Sequence, residues 1–581
     1  MSLLLIVLIC AALLWLAYRF YGSFLSRIFR LNPDAETPAV ALRDDVDYLP
    51  ISPRFLLSQH FSAIAAAGPI VGPIVAAVMF GWVPALIWIL IGSIFIGGVH
   101  DMGALVASIR HKARSIAEVV REHMTRRSYA LFLIFVWITL VYIIVAFTDI
   151  VSSSFIGALT LENGLVVSGT GIATSSMLYL MLPVIMGLLM RYAGLSVSLA
   201  TIIFLPLVGV AIWLGQYIPL DLAAWLGIPD TEAQKIWDVF LLAYCFAASL
   251  IPMWLLLQPR GHLGGYFLFA ALLGGALGIL FGGKSVEYPA FTGWIFQPSG
   301  GEAMPLFPLL FITIACGACS GFHSIVASGT TSKQLRRETD ARLIGYGGML
   351  LEGMVAVVSV GCVMMLTASA GSALMGKPNF IYAQGIGSFL EVIGIPASFG
   401  IAFGLLAFTT FVYDSLDVCT RLGRYIFQEL TGWQSTLGRV VATLITAFVP
   451  LYFVLQTALD AAGRLIPAWR IFWPLFGASN QLLAALALLG VTVWLYRTHR
   501  LRWIWLISGL PTIFMYFVSS WALLRFIAKG FYPDGSLALP TSPVPWVALI
   551  LVALAILLLM EAIRVFITRR PEEVKSVSAA T

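Results

Sequence analysis

The chain has 581 residues, of which 60% are hydrophobic and 11% are charged. Soluble domains carry about 25% charged residues, so this composition excludes a soluble globular protein and indicates a polytopic membrane protein. The net charge of +6 is then no argument for nucleic-acid binding, because Lys and Arg in a membrane protein set the orientation of its helices.

Apolar runs predict about fifteen transmembrane helices, since a helix needs about 20 residues to cross a bilayer. The predicted spans cover residues 2–20, 58–80, 84–108, 129–152, 175–190, 196–216, 238–258, 263–283, 306–329, 345–369, 394–413, 436–456, 472–496, 503–526 and 545–567. Placing the N-terminus outside puts most of the 34 Lys and Arg residues, Arg260 among them, in inner loops, in agreement with the positive-inside rule. The odd number of spans then places the C-terminus inside.

The second span contains two Gly-Pro steps, Gly68-Pro69 and Gly72-Pro73. Each proline removes a backbone donor and clashes with the preceding turn, so we expect the helix to open between Gly68 and Pro73. Open backbone at membrane depth must be buried in protein or line a wet cavity, and secondary transporters build substrate sites this way. We predict that Ala67, Gly68 and Gly72 bind substrate. The alternative is a kinked helix whose small residues serve close packing.

Span 238–258 lies five spans later, runs in the opposite direction and carries Pro252 in its interior. Two interrupted helices in this relation predict an inverted five-helix repeat, with Pro252 completing the substrate site. The predicted fold is all-α, and its parts are an N-terminal helix with a cytoplasmic linker (1–57), a first repeat (58–216), a second repeat (217–413), and scaffold helices with a short cytoplasmic tail (414–581).

Span 306–329 is rich in hydroxyl side chains. Ser320, Ser324 and Ser328 recur at a spacing of four residues and therefore share one helix face. Such a row can coordinate a cation or hydrogen-bond a carboxylate, and we predict that Ser320 and His323 bind substrate while Ser324 and Ser328 take part in ion coupling. The alternative is that these hydroxyls bond carbonyls of their own helix and allow close packing.

Ionisable groups inside membrane spans are costly and are candidates for function. His60 precedes the predicted break, and a histidine titrates near neutral pH. Glu352 has no evident basic residue nearby in the sequence, so it is a candidate proton carrier. We predict ion coupling for both His60 and Glu352, while a buried, neutral and hydrogen-bonded histidine remains the alternative for His60.

Three further acids lie toward the inner ends of their spans, namely Asp101, Asp414 and Asp417. Arg421 follows Asp417 after one helical turn, and the acids are predicted to form a charge network with Arg421, Arg110 or Arg424 at an inner gate. Structural ion pairing without a gating role is the alternative.

Cys316 and Cys319 form a C-x-x-C pattern, and the six cysteines of the chain lie mostly inside apolar runs. Two cysteines with His323 cannot complete a structural zinc site, which needs four ligands, so small-residue packing is the favoured interpretation. The sequence also lacks a phosphate-binding loop, a zincin motif and a nucleophile elbow. We therefore expect no cofactor, no metal site and no enzymatic activity.

Five stretches taken together resemble one known family. They read, in order, SQHFSAIAAAGPIVGPIVAA, GGVHDMGALVASIRHKARSIAEVV, CGACSGFHSIVASGTTSKQL, TTFVYDSLDVCTRLGRYIFQEL and WPLFGASNQLLAALALL. Their order and spacing are similar to those of the carbon starvation protein A family. Two departures are Gln59-His60, where many members have His-His, and Cys319, where an apolar residue is common.

The resemblance implies a bacterial inner-membrane transporter with the LeuT-like inverted repeat of the amino acid–polyamine–organocation superfamily. The expected function is import of small peptides or of a small carboxylate such as pyruvate, driven by a proton or sodium gradient, with a periplasmic N-terminus. The expected partners are substrate, H⁺ or Na⁺ and the lipid bilayer, without nucleic acid, and the oligomeric state stays open. The alternatives are a nutrient sensor that binds the ligand without transport and a membrane redox or metal enzyme using Cys316, Cys319 and His323.

Overall fold

The structure, a computed structural model, describes residues 2–44, 48–160, 166–298, 303–459, 465–498, 503, 505–533 and 535–568. Within these residues the chain is almost wholly α-helical, as predicted. The helices of the first half are α1 (Leu3–Leu16), α2 (Gly22–Ile28), α3 (Pro38–Ala41), α4 (Pro53–Ile64), α5 (Gly68–Phe80), α6 (Trp82–Ile91), α7 (Gly98–Arg110), α8 (Ile116–His123), α9 (Arg126–Ser152), α10 (Gly169–Tyr192), α11 (Val197–Tyr217) and α12 (Leu222–Leu226).

The second half continues the helical pattern and adds long helices. They are α13 (Asp230–Leu250), α14 (Leu257–Phe281), α15 (Leu306–Thr313), α16 (Gly321–Gly329), α17 (Gly348–Met364), α18 (Ala368–Leu374), α19 (Pro378–Val392), α20 (Ala397–Thr431), α21 (Thr436–Leu455), α22 (Ala468–Thr498), α23 (Leu506–Phe531) and α24 (Pro543–Thr568). The predicted cytoplasmic tail falls largely on residues 569–581, which lie outside the described residues.

Three short antiparallel hairpins connect helices. They pair β1 (Ala158–Thr160) with β2 (Val166–Ser168), β3 (Ile295–Phe296) with β4 (Met304–Pro305), and β5 (Ala458–Leu459) with β6 (Leu465–Ile466). The register places Leu159 opposite Val167 in the first hairpin and Phe296 opposite Met304 in the second. None of these hairpins contributes a residue to the site described below.

Twelve helices in the described part of the chain are long and apolar enough to cross a membrane, or thirteen if the bent pair α4–α5 counts as one span. The predicted count of about fifteen is not confirmed. The spans predicted at 238–258 and 306–329 do not form single helices of that length, because each is divided. The helices α11 and α24 expose large apolar residues such as Ile202 and Ile563, and in a bilayer these side chains contact lipid.

The interruption predicted in the second span is confirmed, but its position differs. The helices α4 and α5 meet at an angle of 47°, and the non-helical residues between them run from Ala65 to Ala67 rather than from Gly68 to Pro73. The reason is that Pro69 lies in the first turn of α5, where a missing backbone donor leaves no helical bond unmade and the fixed φ suits the helix. Pro73 lies inside α5.

The glycines of α5 serve a close approach to a second interrupted helix. A Cβ atom on Gly68 would lie 2.2 Å from the Cβ of Cys316, and one on Gly72 would lie 2.3 Å from the carbonyl oxygen of Thr313. Both distances are far below contact separation, so any side chain here would force the two segments apart. Gly68 and Gly72 therefore allow close packing of the two segments, as the alternative interpretation of this stretch expects, and substrate binding at these residues stays a prediction.

The prediction that 238–258 forms one interrupted helix is wrong. The helix α13 ends at Leu250, α14 begins at Leu257, and Pro252 lies in an exposed turn between them. The last carbonyls of α13 accept hydrogen bonds from arginines of α20, which stabilises this helix end. Pro252 therefore lies between two helices and does not open the interior of one.

The second interrupted helix is instead the pair α15–α16. Residues 314–320, with the sequence IACGACS, separate α15 from α16. This break carries no proline, and α5 packs directly against it through Gly68 and Gly72. The two interruptions thus face each other in the protein interior.

Two helices that follow these interruptions share an unusual start. A π-helical turn at Gly92–Gly97 precedes α7, and another at Arg342–Gly347 precedes α17. Each of these helices then carries a buried acid, Asp101 in α7 and Glu352 in α17. π-Helical turns inside helices occur frequently at functional sites.

Candidate functional site

Three ionisable side chains meet at the centre of the helix bundle. Asp101, His323 and Glu352 are each 0% exposed. The Nδ1 atom of His323 is 2.8 Å from Oδ2 of Asp101, and its Nε2 atom is 3.1 Å from Oε2 of Glu352. One imidazole therefore hydrogen-bonds Asp101 and makes a close charge contact, without hydrogen-bond geometry, with Glu352. We call these three residues the acid–histidine cluster.

The second oxygen of Asp101 also has an imidazole partner. The Nδ1 atom of His100 lies 2.7 Å from Oδ1 of Asp101. The predicted gate placed Asp101 in a network with arginine, and this is wrong, because Arg110 pairs with Glu338 at 2.6 Å. Both Asp101 oxygens face histidine nitrogens instead.

Glu352 was expected to lack a basic neighbour, and the structure corrects this, since His323 lies in contact with it. No local pattern predicts this pairing, because the two residues belong to different helices, α16 and α17. Charges buried at membrane depth are costly unless they are paired. The cationic form of His323 would offset one of the two carboxylate charges.

The position of His323 depends on where α16 begins. Asn480 of α22 accepts a hydrogen bond from the backbone N–H of Phe322 at 2.9 Å and donates one to the Ser320 hydroxyl at 2.9 Å. Gly321 allows this approach, since a Cβ there would lie 2.4 Å from the backbone nitrogen of Ala484. Asn480 thus fixes the first turn of α16, the turn that carries His323.

The other predicted hydroxyls are used inside their own helix. The Ser324 hydroxyl donates to the carbonyl of Gly321 at 2.7 Å, and the Ser328 hydroxyl donates to the carbonyl of Ser324 at 2.6 Å. This is the packing alternative for the row of serines. The Ser328 oxygen also accepts a hydrogen bond from the backbone N–H of Ile116 at 3.1 Å.

His60 lies beside the acid–histidine cluster, one turn before the break in α4–α5. Its Nδ1 atom is 2.8 Å from the Thr331 hydroxyl, and its Nε2 atom has no hydrogen-bond partner among the described residues. Its ring contacts the backbone of α17, since a Cβ on Gly348 would lie 3.2 Å from Cδ2 of His60. Gly348 is about one helical turn before Glu352, so His60 and the cluster share one neighbourhood.

A second buried charge network is formed by Arg260, Asp414 and Asp417. Arg260 Nε lies 3.0 Å from Oδ1 of Asp414, and Arg260 Nη1 forms an ion pair with Asp417. The Tyr244 hydroxyl donates to Asp417 at 3.0 Å. All three charged residues are buried, and we call them the arginine–carboxylate cluster.

The predicted partner of these acids, Arg421, has another role. Its guanidinium donates to the carbonyls of Ala248 at 2.7 Å and Ile251 at 2.8 Å, so it stabilises the end of α13. From the sequence, Arg260 was predicted to lie in an inner loop, and its part in this cluster was not predicted. Its position beside a long apolar run could have suggested burial. The pairing with Asp414 and Asp417 could not be predicted, because these residues lie far from Arg260 in the chain.

The helix α4 connects the two clusters. His60 faces the acid–histidine cluster, whereas Ser62, two residues on, donates a hydrogen bond to Asp414. The Ser415 hydroxyl also donates to the carbonyl of Ala63 at 3.1 Å, which holds α20 against the end of α4. A movement of α4 would therefore change the contacts of both clusters.

A small cavity lies between the clusters. Its lining includes Gln59, His60, Gly261, Thr331 and Asp414, and its volume is about 10 Å³. That is room for about one water molecule, whereas ligand pockets are typically about 300–1,000 Å³. The cavity between the clusters is thus too small to hold a substrate in this structure.

Both cysteines of the C-x-x-C pattern lie in the protein interior. Cys316 and Cys319 are buried free thiols, and Cys316 receives a weak hydrogen bond from the Asn480 amide at 3.5 Å. Within the described ranges, neither cysteine belongs to a group of side chains arranged to bind a metal ion. The burial of both thiols agrees with the packing interpretation of the C-x-x-C pattern.

The sequence matches the profile of a family described as Carbon starvation protein CstA over residues 2–381 and 367–522. The chain belongs to the carbon starvation protein CstA family. The expected resemblance is therefore confirmed.

Curated relatives of the chain are named as transporters. The peptide transporter CstA of Campylobacter jejuni is 32% identical, over 86% of this chain and 77% of the relative. The pyruvate/proton symporter BtsT of Escherichia coli is 30% identical, over 87% of this chain and 79% of the relative. The peptide transporter CstA of the same species is 31% identical, over 89% of this chain and 80% of the relative. These names support a multi-pass membrane transporter rather than an enzyme.

Among solved structures, a manganese transporter from Eremococcus coleocola matches with a TM-score of 0.44 and 16% identity, covering 90% of this chain and 98% of that chain. A likeness at this level carries no inference about substrate or mechanism.

Proposed function

We propose that the chain is a proton-coupled secondary importer of a small substrate that carries a carboxylate, either a short peptide or a monocarboxylate such as pyruvate. The proposal rests on one observation, the position of His323 between Asp101 and Glu352. The names of the curated relatives support the substrate classes. The proposed location is the bacterial inner membrane, with the N-terminus in the periplasm.

The acid–histidine cluster is suited to carry one proton. With His323 cationic and both acids ionised, the cluster has a net charge of −1. Adding one proton brings it to zero, and a neutral cluster is far less costly to enclose at membrane depth than a charged one. Protonation would therefore favour conformations in which the cluster is sealed from water.

The same geometry favours H⁺ over Na⁺ as the coupling ion. Sodium needs several free oxygen ligands, but both Asp101 oxygens face imidazole nitrogens at 2.7 and 2.8 Å. Ser324 and Ser328 donate to carbonyls of their own helix. We therefore propose that Ser324 and Ser328 stabilise α16 and do not bind the coupling ion. His60 and Glu352 remain the proposed carriers of the proton.

The proposed gate is the arginine–carboxylate cluster, with Arg260 in the role first assigned to Arg421. Its contacts hold α14 against α20, and Ser62 extends them to α4. Opening of the gate would separate these helices and enlarge the cavity between the clusters. The substrate carboxylate would then meet the N-terminal turns of α5 and α16, where the helix dipoles are positive.

The shared design of α4–α7 and α15–α17 supports alternating access. In each group an interrupted helix precedes a π-helical turn and a buried acid. An arrangement in which two similar units move against each other is typical of transporters with internal repeats. We propose that the second unit begins at α15 instead of residue 217.

Uptake by purified protein in proteoliposomes tests the proposal. Radiolabelled pyruvate and a labelled dipeptide are each offered under an inward proton gradient alone, an inward sodium gradient alone, or neither. We expect accumulation of one of the two substrates under the proton gradient and none under sodium alone. Sodium-driven accumulation would contradict the proton assignment, and binding without accumulation under any gradient would contradict transport.

A further inference from the structure

Two histidines meet outside the membrane spans, at the corner between α7 and α8. His111 follows the last residue of α7, and His123 is the last residue of α8. Their Nε2 atoms are 2.9 Å apart, and the two rings are nearly perpendicular at 89°. Glu122 adds a carboxylate oxygen 3.9 Å from Nε2 of His111. The transport site described above uses none of these three residues.

The hydrogen bonding of His111 fixes its tautomer. Its Nδ1 atom lies 2.6 Å from the carbonyl oxygen of Ala107, and a carbonyl can only accept, so Nδ1 carries the proton. The lone pair of Nε2 then points at His123. Metal-binding histidines are typically held in this way, with the other ring nitrogen donating to a carbonyl or a carboxylate.

The contact between the two rings sets the tautomer of His123. Because Nε2 of His111 presents a lone pair, the 2.9 Å contact is a hydrogen bond donated by Nε2 of His123. A metal ion between the rings would replace this proton, and His123 would then carry its proton on Nδ1. Its Nδ1 atom has no hydrogen-bond partner in the part of the chain that the structure describes. A neutral imidazole is the form that binds metal.

We propose that His111, His123 and Glu122 bind one divalent transition-metal ion of the zinc class. Two Zn–N bonds of about 2.0–2.1 Å at a tetrahedral angle place the nitrogens about 3.3 Å apart. The observed 2.9 Å therefore requires a separation of only about 0.4 Å. Glu122 has an exposed side chain that is free to turn toward the ion, and water completes the coordination.

The donor set selects the class of ion. Imidazole nitrogens suit zinc, copper and nickel, whereas magnesium and calcium prefer oxygen ligands. Arg497 donates to the carbonyl of His123 at 3.3 Å, so a positive charge already lies near the site. The carboxylate of Glu122 offsets that charge, and we assign it a smaller share of the affinity than the histidines.

The site would couple two elements of the fold. The helix α7 carries Asp101 of the acid–histidine cluster, and α8 leads into α9. A metal ion held by His111 and His123 would tie the end of α7 to α8 and stabilise this corner. Because a ligand that binds only the folded protein stabilises it, metal should also raise the thermal unfolding midpoint of the purified protein.

The test uses metal-free, full-length protein from which any affinity tag has been removed, titrated with Zn²⁺ in competition with a chromogenic chelator. We expect one tight site per chain. The affinity should fall at least about 100-fold in the double variant His111→Gln/His123→Gln and about tenfold in Glu122→Gln, since metal affinity depends on the number of ligands. The matched control is His262→Gln, a buried histidine elsewhere, which should bind Zn²⁺ like the wild type.

Cobalt binding by the unmodified chain keeps the proposal testable if the double variant does not fold. Co²⁺ at this site should give visible d–d absorption at one ion per chain, without the intense near-ultraviolet band of cobalt–thiolate bonds. A thiolate band would assign the metal to cysteine and overturn the proposal. The proposal would also be overturned if no site bound one ion per chain, or if a folded double variant bound Zn²⁺ with the affinity of the wild type.

Discussion

Replacement of Glu352 by Gln should abolish proton-driven accumulation while leaving substrate exchange intact. The amide keeps the shape of the side chain beside Nε2 of His323 but cannot carry the coupling proton. We expect proton-driven uptake to fall by about 5- to 150-fold, the range that a coupling free energy of about 1–3 kcal/mol produces. Counterflow, in which labelled substrate exchanges for unlabelled substrate without a gradient, should stay within about twofold of the wild type.

Comparing proton-driven uptake with counterflow distinguishes a loss of proton coupling from misfolding. A variant that merely misfolds loses both uptake and counterflow, whereas loss of coupling removes only the first. The matched control is Glu391→Gln, which changes an exposed acid on α19 and should leave both activities unchanged. Proton-driven accumulation by Glu352→Gln at the wild-type rate would remove Glu352 from the proton path.

Replacement of Arg260 by Met should destabilise the protein strongly. The variant leaves Asp414 and Asp417 buried without their cationic partner, and breaking a buried ion pair on one side costs about 3–5 kcal/mol. We expect a clear fall in the thermal unfolding midpoint in detergent and loss of uptake. The matched control is Arg439→Met at an exposed position, where a surface change is worth within about 0.5 kcal/mol.

A triple variant separates stability from gating. Arg260→Met combined with Asp414→Asn and Asp417→Asn removes the buried charges together, so most of the lost stability should return. Uptake should remain absent, because the proposed gate needs the charges that the variant lacks. An Arg260→Met protein as stable as the wild type would show that the ion pairs do not hold these helices together.

Local signals in the sequence were sufficient for the first interruption but not for the second. Pro69 and Pro73 disturb a helix by covalent geometry, so the break in the second span could be predicted, although the actual break precedes Gly68. Residues 314–320 contain no proline, and Asn480 of α22 caps the helix that follows them. That contact joins positions far apart in the chain, so no local sequence pattern predicts it.

The same distinction applies to the charged residues. Asp101, His323 and Glu352 could each be selected singly, because ionisable groups within apolar runs are rare and costly. Their arrangement around one imidazole depends on tertiary packing and could not be predicted. Arg260 was assigned to a loop by the distribution of charges, whereas the fold buries it completely.

If substrate and proton move together, substrate entry alone should carry protons into the vesicle. Proteoliposomes containing a pH-sensitive dye are given the substrate identified by uptake, with no ion gradient imposed. We expect acidification of the lumen by the wild-type protein, and much less acidification by Glu352→Gln. Substrate entry into wild-type vesicles without acidification would show that substrate and proton are not coupled.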